Sequence, residues 1–152
     1  MAWVPFDSYL KGLLTGEFTG FVDHDGVGPF MIALITDAEA PVAATHQYWA
    51  DLDENEVSGT GYTQHGNEVD NAAVSVAGNV ITFDADDPAT WAQDAGGFTD
   101  ARYAILYLQQ AGPTPATSQL MAYYDLGGDK GNVDGDLELS LHADGISTLA
   151  AA

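Results

Sequence analysis

At 152 residues, with 46% hydrophobic and 11% aromatic side chains, the chain can fill one core and is read as a single domain over 1–152. Its 23 Asp and Glu against 3 Lys and Arg give a formal net charge of -20. That excludes a nucleic-acid partner and disfavours an anionic membrane surface, because both need clustered basic side chains, whereas Lys11, Arg102 and Lys130 stand singly. The lack of cysteine excludes disulfides, thiolate zinc sites and thiol chemistry.

Over residues 5–14, Phe6, Tyr9, Leu10, Leu13 and Leu14 recur at helical spacing, with Asp7 near the start and Gly16 just past the end. The pattern predicts a short amphipathic helix in an N-terminal segment, 1–16. From 17 to 149 the period changes to that of strands. "FTGFVD", "PFMIALIT", "AAVSVAG", "NVITFDA", "ARYAILYLQ", "QLMAYYDL", "GDLELSLHA" and "GISTLA" are short runs separated by Gly, Asp, Asn and Pro clusters. "VSVAGNVITF" predicts a hairpin turning at Gly78-Asn79. "DLELSLH" alternates Leu137, Leu139 and Leu141 with polar residues, as a half-buried strand does. "ARYAILYL" is almost continuously apolar and is expected at the centre of a sheet. The reading is a mainly β fold, an antiparallel β-sandwich or jelly-roll-like body of about eight strands with a short N-terminal helix.

Residues 37–71 have little periodicity, and "ATHQYWADL" is expected to add a helical turn anchored by Tyr48 and Trp49. Within this segment "DLDENEVSGTGYT" (51–63) imitates two ligand motifs. Asp51, Asp53 and Asn55 fit the first positions of a calcium loop, but Glu56 stands where that loop needs glycine and Tyr62 where it needs a bidentate carboxylate. Gly59-Thr60-Gly61 lacks the spacing and the lysine of a phosphate loop, so it is read as a bend into a strand. "DHDG" at 23–26 and "DKGNVDGD" at 129–136 are read as ordinary turns.

No nucleophile elbow, zinc-protease helix, kinase signature or dinucleotide fingerprint is present in the sequence. His24, His46, His65 and His142 lie far apart along the chain. Carboxylate pairs are inevitable at this acid content and carry no signal for glycoside chemistry. The expectation is that the chain is not an enzyme and holds no cofactor, with a structural divalent cation at a subunit contact left open. Trp91, Tyr103 and Tyr107 are read as core or sheet-face residues. Trp3 and Phe6 precede the strand-rich body and either form an exposed docking patch or fold back over its end. With Tyr48 and Trp49 they are the interface candidates.

The N-terminus lacks the basic, apolar and small-residue regions of a secretory signal, and no stretch approaches the roughly 20 apolar residues of a membrane helix. Like charges repel over a Debye length of about 10 Å at 0.1 M salt and about 3 Å at 1 M. An acid-rich, lysine-poor chain is therefore expected to prefer salt and to come from a saline, halophilic setting.

Seven stretches in order, "YLKGLLTGEF" (9–18), "MIALIT" (31–36), "YWADLDENEVSGTGYT" (48–63), "NVITFDADDPATW" (79–91), "ARYAILY" (101–107), "LMAYYDLGGD" (120–129) and "DGISTL" (144–149), cover most of the chain. Together they resemble the small β-rich structural proteins of tailed viruses, the capsid decoration or tail-associated components of the virion. After "GEF", relatives read D-x-D-x-D-x-I-K-V, whereas "TGFVDHDGVGPFMIALI" here has lost the lysine, in keeping with the acidic drift. The resemblance transfers no catalytic residue. It implies a β-rich accessory protein made in the host cytoplasm and built into the virion, with the major capsid protein or other virion proteins as partners and homo-oligomeric assembly. A capsid decoration (cement) protein on the outer shell is the leading expectation. The alternatives are a tail, neck or fibre-base protein and a carbohydrate-binding β-sandwich, with a carboxylate-pair hydrolase behind them.

Overall fold

The computed structural model describes residues 3–17, 30–109, 115–141 and 146–150. Within them lie strands β1 (Val4–Pro5), β2 (Phe30–Ile35), β3 (Asn67–Glu68), β4 (Ala73–Ala77), β5 (Val80–Asp84), β6 (Ala101–Leu108), β7 (Gln119–Lys130) and β8 (Ser147–Ala150), and one helix, α1 (Asp7–Thr15). They form two antiparallel sheets, one of five strands in the order β1-β7-β6-β2-β3 and one of three in the order β4-β5-β8. The class is mainly β, as expected, in two open sheets with no closed barrel among the described residues.

β6 holds the centre of the larger sheet, between β2 and β7. Its residues 104–108 are all buried, and since successive strand residues point to opposite faces, both faces of the sheet are covered there. On one flank Phe30↔Leu108 through Ile35↔Tyr103 pair without a break. On the other, the β7 ladder shifts register twice, between Ala101 and Tyr103 and between Leu106 and Tyr107.

α1 ends where expected, on Gly16 in the left-handed conformation at φ +74°. Its buried face is Tyr9 and Gly12, however, while Leu10, Leu13 and Leu14 point outward, Leu14 being 83% exposed. Apolar spacing marks a helix but does not say which part of the stripe meets the sheet. The docking is set instead by Trp3 and Phe6, whose rings lie 5.7 Å from Tyr124 and 5.4 Å from Tyr123, and by the Phe6 amide bonded to the Met121 carbonyl.

The smaller sheet begins with the predicted hairpin. Gly78 and Asn79 both take positive φ, +54° and +68°, as a two-residue type I′ turn requires, and Ala77↔Val80 closes it. Phe83 carries this sheet onto the larger one, its ring 5.2 Å from Phe30.

The run 135–143, expected as a strand, has no ladder among its described residues. Leu137 makes a single bridge to Trp91, with both N–H···O bonds formed, and half-buried leucines alternate with exposed residues as far as 141. Alternation reports an extended chain over a core, but a strand also needs a neighbour running beside it. The expected run "FTGFVD" and the turn "DHDG" lie outside the described residues.

Candidate functional site

The segment 51–63 spends its polar groups on its own fold. Tyr48 leads into two short 3-10 turns, Trp49–Asp51 and Asp53–Asn55. The Asp51 carboxylate accepts the N–H groups of Gln47 and Tyr48 at 2.7 and 2.9 Å, and Asn55 Nδ2 donates to Glu39 at 3.4 Å. Two of the three calcium-loop positions are therefore engaged in capping and loop contacts. Among the described residues no three His, Asp or Glu side chains converge as a ligand set.

The glycine pair makes room for distant backbone at Gly59 and for a distant asparagine at Gly61. A Cβ on Gly59 would lie 2.6 to 2.9 Å from the backbone of Gly97 and Phe98. Gly61, at φ +81°, would bring one within 2.9 Å of Asn132 Nδ2. Asn132 is fully buried, and its side chain accepts the Phe98 N–H at 2.9 Å and donates to the carbonyls of Thr60 and Ala92 at 3.1 and 2.8 Å. The amides of Thr60 and Tyr62 donate to Gly96 and Gly59 carbonyls. A phosphate cradle needs free N–H groups pointing at one spot, and these two are engaged.

A titratable cluster follows. Glu56, its side chain only 7% exposed, accepts the Tyr62 hydroxyl at 2.7 Å and the His65 N–H at 2.5 Å through Oε1, while His65 Nδ1 lies 3.8 Å from Oε2. The Tyr62 hydroxyl in turn accepts the Leu34 N–H at 3.0 Å, and the Tyr107 hydroxyl donates to the His65 carbonyl at 2.7 Å. The Tyr107 ring stacks on Trp49 at 5.0 Å, nearly parallel. Burial raises the pKa of Glu56 and drives both tyrosines far above their usual range, so the phenols stay protonated as donors.

A carboxylate beside a histidine is a pairing that acid–base chemistry can use, and the geometry here also performs a structural task. Tyr62 already donates to one partner and accepts from another, and the contacts run from residues 56–65 to β2 through Leu34 and to β6 through Tyr107. The cluster locks a loop onto the sheet. The sequence hides it, because along the chain Glu56 and Tyr62 look only like misfits to a calcium loop and His65 like an isolated histidine. No local spacing connects them to Leu34 or Tyr107.

Trp3, Phe6 and Trp49, marked by the sequence as interface candidates, are buried within the chain's own core. Trp3 and Phe6 thus take the folded-back alternative, and of the four only Tyr48, 39% exposed, faces outward. It borders an open groove of about 680 Å³ whose lining includes Asp7, Lys11, Glu17, Gln47 and Gln119. His46 sits away from the cluster, 3.3 Å from Glu39, and His24 and His142 lie outside the described residues. Among the described residues no helix is long and apolar enough to cross a membrane. Comparison of the chain with protein families, with curated proteins and with solved structures finds no match.

Proposed function

We propose that the chain is a non-catalytic structural component of a tailed virus particle, a decoration protein seated on the outer capsid shell. The observation that carries this reading is the apolar surface left open on an otherwise acidic chain. Leu10, Leu13 and Leu14 on α1, and Val74, Val76 and Ile81 on the smaller sheet, form two exposed clusters on a protein of net charge -20. Charge keeps such a molecule soluble and away from nucleic acid, while uncharged patches supply places for neighbours to fit. The ordered resemblance of seven sequence stretches to tailed-virus structural proteins points the same way. The engaged polar groups around Glu56 and Asn132 fit a building block whose interior serves its own rigidity.

Quantitative mass spectrometry of purified particles tests the reading. A shell protein is expected in large copy number, with its removal weakening the shell. A handful of copies would move the chain to the tail, neck or fibre base, and absence from particles would end the proposal. The carbohydrate-binding alternative has one observation in its favour, the exposed Tyr48 beside a groove lined with carboxylates and amides. Specific glycan binding abolished by Tyr48→Ala would promote it over the virion reading.

A further inference from the structure

We infer that two copies of this chain pair through β4, edge to edge and antiparallel, across a two-fold axis at Ser75. Among the described residues β4 is an edge strand of its sheet, and all five of its residues are exposed, Val76 by 71%. Edge strands usually carry a charge, a proline or a bulge that stops another strand from adding. Here residues 71–83 contain no Asp, Glu, Lys, Arg or Pro, and β4 pairs with β5 without a register shift. In so acidic a chain, the edge strand itself sets no charged side chain against a second copy.

The strand's sequence suits itself. Ala73-Val74-Ser75-Val76-Ala77 reads the same in both directions. Antiparallel pairing centred on Ser75 sets Ala73 against Ala77, Val74 against Val76 and Ser75 against Ser75, so each position meets its own or an identical residue type. That is the self-complementarity an isologous two-fold contact requires.

The backbone agrees with this register. In a two-residue hairpin the pair closing the turn, Ala77↔Val80, is the hydrogen-bonded one, and hydrogen-bonded and non-hydrogen-bonded pairs then alternate. Val76↔Ile81 and Val74↔Phe83 are therefore non-hydrogen-bonded pairs, and the N–H and C=O groups of Val74 and Val76 point to the open edge. With the axis at Ser75, Val74 of one copy and Val76 of the other exchange both of these bonds. Ser75 meets Ser75 as a non-hydrogen-bonded pair. Cross-strand partners share a face, so Val74 and Val76 stand with Ile81, and pairing joins the apolar faces of the two copies. The result is one sheet ordered β8-β5-β4-β4-β5-β8.

This pairing specifies the self-contact of an assembling protein, but it rests on the strand and not on the virion reading. A contact of this size falls short of the roughly 1,000 Å² of a stable standing interface, so the dimer should be weak and concentration-dependent. It should tighten with salt, as the Debye length falls from about 10 Å at 0.1 M to about 3 Å at 1 M and the repulsion between two -20 charges is screened.

The cysteine-free chain allows a clean test. Under mild oxidation the full-length Ser75→Cys protein should form a disulfide-linked dimer, because a non-hydrogen-bonded pair sets the two Cα atoms about 4.5 Å apart, within disulfide reach. Ala73→Cys alone should not, since two copies of residue 73 would lie about 14 Å apart, whereas Ala73→Cys mixed with Ala77→Cys should. Val76→Pro removes an outward N–H without touching the β4–β5 ladder and should raise the dimer dissociation constant in sedimentation at least about tenfold. No cross-link at Ser75, equal cross-linking at all three positions, or an unchanged or absent dimer in sedimentation would overturn the pairing. A chain abundant in particles that fails here loses the pairing alone, and one that pairs but is missing from particles loses the virion reading alone.

Discussion

β6 and β4 are both short strands dominated by apolar residues, yet every residue from 104 to 108 of β6 is buried and every residue of β4 is exposed. The difference lies in their neighbours. β6 has a strand on each side and cover on both faces, so each methyl removed from water adds to the core. Among the described residues β4 has a strand on one side only, and its small side chains meet solvent. The larger sheet therefore stores the stability of the molecule, while the smaller one, tied to it through Phe83 and Phe30, carries surface.

Truncation tests this division most sharply. Leu106→Ala should cost about 2–5 kcal/mol in chemical denaturation, because the fully buried side chain leaves a cavity in the central strand. Asn132→Ala should come next, at about 3 kcal/mol, by leaving the Phe98 N–H and the Thr60 and Ala92 carbonyls without their buried partner. Thermal or denaturant melts that lose the 59–61 turn at the same midpoint as the sheet would show that the turn belongs to the cooperative body.

Glu56→Gln gives a smaller effect with a pH signature. Burial raises the Glu56 pKa above its ordinary 4.5, so the folded protein keeps this proton to higher pH than the unfolded chain does. Between the two values the folded state binds more protons, and this group's contribution to stability falls as pH rises through that window. The glutamine cannot ionise and escapes that loss. Its constant cost should be about 1 kcal/mol, from a poorer match to the Tyr62 hydroxyl, and its stability relative to the parent should improve as pH rises above 4.5. A stability difference independent of pH would mean that Glu56 titrates alike in both states. The smallest effect is expected at Val76→Ala, within about 0.5 kcal/mol for the isolated chain, since Val76 contributes to no core. A loss there as large as at Leu106 would erase the distinction between the two sheets.

The features legible in the sequence are those whose cause is local. Gly78-Asn79 between two β-branched runs can turn only tightly, and the hairpin has that turn. The continuous apolar run of residues 101–108 needs cover on both faces, and β6 lies at the centre. The helix was legible from its period, but its buried face was not, because the aromatic rings that seat it meet β7 more than a hundred residues away. The two-residue strands β1 and β3 have no pattern long enough to read. The bend at Gly59 to Gly61 could be expected, whereas its reason, the Asn132 side chain 72 residues downstream of Thr60, could not. The Glu56 cluster was hidden for the same reason, since its members come from separate segments.

The sequence by itself determined the mainly β class, the helix near the start, the hairpin and an acidic surface without clustered basic charge, because periodicity, turn chemistry and composition act over a few residues or over the chain as a whole. Only the tertiary structure decided which aromatic residues are core, which acid is buried and which strand is left at an edge. Those outcomes depend on what lies across a sheet or beneath a loop, and packing brings together residues that no spacing along the chain connects.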